Sequence, residues 1–150
     1  MSQPRIRRAG FLPGWQRIST YLILAVCAIS GVLFFLMHDL RMSIPGAGKH
    51  DVLVAHGISA AFALLVFGAV LPGHLRAAWI ARRNRLSGIV MIIVMSVLML
   101  SGELLYYGSE EMRDHVVLIH WVVGFAAFAA FLLHVLLGRR TGQPVQPGPR

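Results

Sequence analysis

Residues 116–138 read VVLIHWVVGFAAFAAFLLHVLLG, an unbroken run without a single Asp, Glu, Lys or Arg. At about 1.5 Å per residue, a helix of that length crosses the ~30 Å of hydrocarbon in a bilayer. Three blocks of the same character precede it, at about 18–37, 52–72 and 86–107. Each reaches the ~20 apolar residues that a membrane span requires. None alternates polar and apolar positions as barrel strands do, and a helix is the other backbone form that satisfies its own polar groups in lipid.

Composition agrees with the blocks. The chain has 150 residues, of which 57% are hydrophobic and 13% charged, and its mean hydropathy is +0.69. A soluble domain carries about 25% charged residues. The expected fold is an all-α integral membrane protein, a four-helix transmembrane bundle running up-down-up-down. Residues 1–17 are expected to form an N-terminal segment, 18–138 the membrane domain and 139–150 a disordered tail. Arg7 and Arg8 ahead of the first block resemble a signal peptide. That block is longer than a signal h-region and no small-residue cleavage site follows it, so it is read as a span. Pro72-Gly73 is expected to kink or end the second span, and residues 75–85 to form a short interfacial helix. His50 and His115 are expected in loops.

Charge gives the orientation. Arg5, Arg7, Arg8 and Arg17, then Arg76, Arg82, Arg83 and Arg85, then Arg139, Arg140 and Arg150 fall on one side of the spans, with no Asp or Glu among them. Arg41, Lys49 and Arg113 fall on the other, beside Asp39, Asp51, Glu110, Glu111 and Asp114. The basic side is expected to be cytoplasmic, with both termini there, in a bacterial inner membrane. The same asymmetry accounts for the sequence pI of 11.3 without nucleic acid as a partner. Trp15, Trp79, Trp121, Tyr106 and Tyr107 lie near span ends, as an aromatic belt would.

Seven histidines remain, and ionisable groups within spans mark function. His56 and His74 are 18 residues apart, five full helical turns, and so share a face. His120 and His134 are 14 apart, four turns less about 40°, and share one too. The second and fourth spans run in the same direction. Two such helices suit two stacked haems with bis-imidazole ligation: His56 with His120 on the outer iron, His74 with His134 on the inner. Small residues between them would let a flat macrocycle approach the backbone, Ala60 and Ala63 on the second span and Gly124 and Ala127 on the fourth, with Phe67 and Phe131 filling the space between haems. The competing reading is close helix packing in lipid. The two rises, ~27 Å and ~21 Å, differ by about one turn. Arg76 and Arg139 on one side, and Lys49 or Arg113 on the other, are candidates for the haem propionates, against their plain role as flanking charge. Glu103, a turn from the end of the third span beside Tyr106 and Tyr107, is a candidate proton or quinol site, or an interfacial cap.

These residues resemble those of the small bacterial di-haem cytochromes b, and are similar to the membrane cytochrome b subunits of formate dehydrogenase and nickel–iron hydrogenase. The resemblance spans about 15–140. It is carried by His120-Trp121 with His134 fourteen residues later, by Ser101-Gly102-Glu103-Leu104-Leu105-Tyr106, and by His56 early in the second span. It implies that the fourth helix gives His120 and His134 to the two haems and that His56 completes the outer one. That family takes its last ligand from the first helix, where this chain has Trp15, Gln16 and Arg17 and no histidine; His74 is the substitute. The resemblance implies electron transfer between the quinone pool and a partner redox protein, or within a homo-oligomer. A self-contained superoxide or quinol oxidoreductase at the outer haem is a second possibility, and a haem-free membrane scaffold a third.

Overall fold

The computed structural model describes residues 12–82 and 84–141. Arg5, Arg7, Arg8, Arg83, Arg150 and most of the tail lie outside them. The described residues form α1 (Gly14–His38), α2 (Lys49–Ile80), α3 (Arg85–Tyr107), a 3₁₀ turn (Glu110–Met112) and α4 (Arg113–Thr141), with no strand. All four α-helices are long and apolar enough to cross a membrane, and the chain is an all-α, multi-pass membrane protein. The helices pack as two antiparallel hairpins, α1 with α2 and α3 with α4.

The helices overrun the expected spans, for local reasons. α1 begins at Gly14 rather than 18, directly after Pro13, whose missing N–H suits a helix boundary. The Arg17 amide already donates to the Pro13 carbonyl at 3.0 Å. Ser19 and Thr20 then turn their hydroxyls onto the Trp15 and Gln16 carbonyls, at 2.9 and 2.7 Å, so their polarity is satisfied within the helix. Gly14–Arg17, the end of the expected N-terminal segment, are therefore the first turn of α1.

Between α1 and α2 the chain reverses at Ile44-Pro45-Gly46-Ala47. The Ala47 amide donates to the Ile44 carbonyl at 3.2 Å, and Gly46 takes φ +79°, the left-handed value that a type II turn requires after its proline. α2 then runs on through Pro72 to Ile80, so Pro72-Gly73 does not end the helix. Proline costs one ladder hydrogen bond and crowds the carbonyl four residues back. That position is Gly68, whose surroundings are open. The Arg76–Ile80 stretch continues the helix, so no separate interfacial helix forms over 75–85. The chain turns through Arg82 and Asn84, both left-handed at φ 52° and 48°. His50 and His115, expected in loops, lie in the first turns of α2 and α4.

Each hairpin closes on a thin seam of small and medium side chains. Ser30, Met37, Val52, Ser59 and Ala63 are buried in the first hairpin, and Ser101, Val116 and Ala127 in the second. Small seam residues let helix backbones approach where lipid removes the hydrophobic drive between them. The outer faces carry Leu65 at 67% exposure and Leu100 at 65%. Such continuous apolar surface would be a liability in water and is the expected surface in a bilayer.

Candidate functional site

His56, His74, His120 and His134 are all half-buried. Three of them turn Nδ1 onto the neighbouring helix of their own hairpin. In the first hairpin, His56 Nδ1 lies 3.0 Å from the Cys27 carbonyl oxygen, 3.3 Å from Ser30 Oγ and 3.9 Å from Cys27 Sγ. In the second, His120 Nδ1 lies 2.8 Å from Ser101 Oγ and His134 Nδ1 lies 3.1 Å from Ser87 Oγ. Ser87 and Ser101 are fourteen residues apart on α3, as His120 and His134 are on α4, so an antiparallel pair meets both histidines in one register.

The bonding pattern bears on the imidazole protons. A carbonyl oxygen only accepts, so the 3.0 Å contact to Cys27 requires hydrogen on His56 Nδ1. The serine hydroxyls each have a carbonyl acceptor on their own helix. Ser101 Oγ donates to the Leu98 carbonyl at 3.1 Å and Ser87 Oγ to the Asn84 carbonyl at 3.1 Å. Ser30 Oγ bonds the Val26 carbonyl at 2.7 Å. Each hydroxyl has one hydrogen and two lone pairs, so with that hydrogen on its carbonyl it is able to receive Nδ1–H from the histidine. An imidazole in that tautomer carries its lone pair on Nε2. A ring with Nδ1–H bonded to an oxygen acceptor and Nε2 bearing the lone pair is the donor that iron takes. The chemistry of this donor set fits a haem ligand.

Glycines set the room beside two of the rings. A Cβ built on Gly31 would stand 2.9 Å from His56 Cε1 and 3.2 Å from its Nδ1, so only glycine lets α1 approach that ring. At Gly102 the same construction reaches His120 Cε1 at 3.7 Å, an ordinary contact.

The small residues and phenylalanines named from sequence differ in their surroundings. Ala63 and Ala127 are buried in the seams of their hairpins. Gly124 lies beside Leu98 of α3. Ala60, Phe67 and Phe131 are half-buried. Arg76, Lys49 and Arg139 are exposed, and Arg113 holds a solvent-side ion pair to Glu110 at 3.5 Å. Glu103, Tyr106 and Tyr107 are exposed on α3, outside the seam of their hairpin. His38 pairs with Asp39 at 3.6 Å and stacks on Phe34.

No family model, curated protein or solved structure matches this chain.

His74 stands apart from the other three. By the register that sets Ser30 against His56, it is level with Leu12, ahead of the first turn of α1. With α2 unbroken, the position that would repeat the fourteen-residue spacing of α4 is Val70, one turn before His74. Sequence reasoning found the histidines by their cost in lipid but passed over Ser30, Ser87 and Ser101, because serine is an ordinary small residue in helix seams. The available signal was the repeated Ser–Gly pair on the two helices that carry no candidate ligand.

Proposed function

We propose that this chain is an electron-transferring cytochrome b of a bacterial inner membrane, carrying two b-type haems with bis-histidine ligation. His56 and His120 are the ligands of one iron, His74 and His134 those of the other. Both termini face the cytoplasm, and electrons pass between the quinone pool and a partner redox protein. Haem, when bound, supplies a one-electron ferric/ferrous couple within the membrane.

One observation supports the reading above all: three spanning histidines set Nδ1 against an oxygen of the adjacent helix, the arrangement that suits a ring giving Nε2 to iron. Histidines serving only to tie helices together have no reason to agree on which nitrogen does so. The residues divide the remaining tasks. The serines and the Cys27 carbonyl orient the rings. Lys49 and Arg113 at one end, and Arg76 and Arg139 at the other, are the cations available to propionates, with Arg113 sharing its charge with Glu110. Glu103 is a carboxylate in a span, a costly placement that suits a proton or quinol contact.

The test is a reduced-minus-oxidised spectrum of the purified, detergent-solubilised protein with haem counted by pyridine haemochrome. A b-type α band and about two haems per chain are expected from two bis-imidazole sites. A colourless preparation refutes the proposal and leaves a membrane scaffold.

A further inference from the structure

The chain contains three Ser–Gly dipeptides, Ser30-Gly31 on α1 and Ser87-Gly88 and Ser101-Gly102 on α3. Each serine meets one of the four intramembrane histidines: Ser30 meets His56, Ser87 meets His134 and Ser101 meets His120. The two helices bearing the dipeptides carry no proposed ligand, and the two bearing the ligands carry no such dipeptide.

We propose that the Ser–Gly dipeptide is a ligand-orienting device built three times into this protein, and that Ser101 and Ser87 each set the redox potential of one haem. The inference rests on the haem reading above and names positioning residues for that site. The serine hydroxyl relays a short chain of bonds, from histidine Nδ1–H to Oγ and from Oγ–H to a helix carbonyl, in which each bond polarises the next. An acceptor on Nδ1–H makes the imidazole more basic and a better donor to ferric iron, which lowers the midpoint potential.

The three copies are not equivalent. His120 and His134 give Nδ1–H to a serine side chain, which a substitution can remove. His56 also has the Cys27 carbonyl at 3.0 Å, closer than Ser30 at 3.3 Å, and a backbone carbonyl survives any substitution at Ser30. A substitution at Ser101 or Ser87 removes the acceptor that meets its histidine, whereas one at Ser30 leaves His56 the Cys27 carbonyl. The glycine's share is graded as well. It is needed at Gly31, is in ordinary contact at Gly102, and borders open space at Gly88.

The experiment uses the full-length, haem-loaded protein with Ser101→Ala, Ser87→Ala and Ser30→Ala compared in parallel. The readouts are haem count, spectroelectrochemical midpoints of both haems, and the low-spin EPR signal of each. Ser101→Ala is expected to raise one midpoint and leave the other in place, Ser87→Ala to raise the other one, and Ser30→Ala to move neither. Ser87→Thr keeps the hydroxyl and should keep the wild-type midpoint. Unmoved midpoints in both Ser101→Ala and Ser87→Ala overturn the proposal, as does a Ser30→Ala shift as large as theirs. Should Ser101→Ala or Ser87→Ala not insert, the ¹⁵N-histidine spectrum of the reduced wild-type protein decides. Protonation at Nδ1 in three spanning histidines supports the device, and protonation at Nε2 removes it. A wild-type protein without haem is a different outcome, because it sinks the cytochrome reading itself.

Discussion

Gly31→Ala tests the site with the smallest change of structure, a single methyl group. The added carbon would stand 2.9 Å from His56 Cε1 and 3.2 Å from Nδ1. Carbon contacts settle at about 3.5–4.0 Å, so the ring must withdraw by roughly 0.6–1 Å from α1. The Cys27 carbonyl that accepts Nδ1–H is on the same helix, at 3.0 Å. Withdrawal of that size stretches the bond to or past ~3.5 Å, where it ceases to be one. A hydrogen bond contributes about 1 kcal/mol net, and an imidazole N–H left without an acceptor in apolar surroundings costs about 1–3 kcal/mol. Loss of the orienting partner of a metal-bound histidine typically weakens metal binding about 10- to 100-fold, the same range in energy. The assay is haem retention and haem titration of Gly31→Ala beside Gly102→Ala and Gly88→Ala. Gly31→Ala should hold one haem firmly and lose the other on dilution. Gly102→Ala should behave almost as wild type, since its new carbon meets His120 at 3.7 Å, and Gly88→Ala as wild type, since nothing lies within 4 Å. Undiminished affinity in Gly31→Ala, or an equal loss in Gly88→Ala, would refute the reasoning.

Two further outcomes follow from the same geometry. His134→Ala should remove one haem and leave the other, because Ser87 and Ser101 hold His134 and His120 at positions about 21 Å apart along the helix; equal loss of both in a folded protein would contradict the ligand pairing. For orientation, a membrane-impermeant maleimide applied to intact cells should label Lys49→Cys and spare Arg82→Cys, each made in a Cys27→Ser background. The reverse pattern would invert the proposed topology.

Much of this protein is legible in sequence because lipid is a strict solvent. A backbone that must satisfy itself leaves helices as the reading of long apolar runs, and all four appear where the runs are. The ends were less legible, since hydropathy reports where apolar residues stop and not where hydrogen bonding stops. Gly14–Arg17 and Arg76–Ile80 are polar or mixed and still helical, the first because the Pro13 carbonyl caps the ladder, the second because a ladder already running is cheap to extend. Pro72 shows the limit of a single-residue rule. Its penalty is one ladder hydrogen bond and a crowded carbonyl, and α2 continues past it all the same. At the site, helical arithmetic placed the histidines on faces but was silent about which nitrogen each would use. That information sits in Ser30, Ser87 and Ser101, which become visible only when the hairpins set each one opposite an imidazole.

The four proposed ligands are therefore unequal by construction. Three of them meet an oxygen of the neighbouring helix at Nδ1, a serine hydroxyl for His120 and His134 and a backbone carbonyl with a serine hydroxyl for His56. His74 occupies a stretch of α2 that its own hairpin partner does not reach with a Ser–Gly pair, since the antiparallel register runs out at Leu12 before α1 has begun. Its distance along the helix from His56, ~27 Å, exceeds the ~21 Å between His120 and His134 by one turn, and the unbroken passage through Pro72 leaves that excess intact. A helix can absorb such a difference by tilting, at a modest cost in the bilayer. The α3–α4 hairpin thus sets a serine against both of its histidines, while the α1–α2 hairpin sets one against His56.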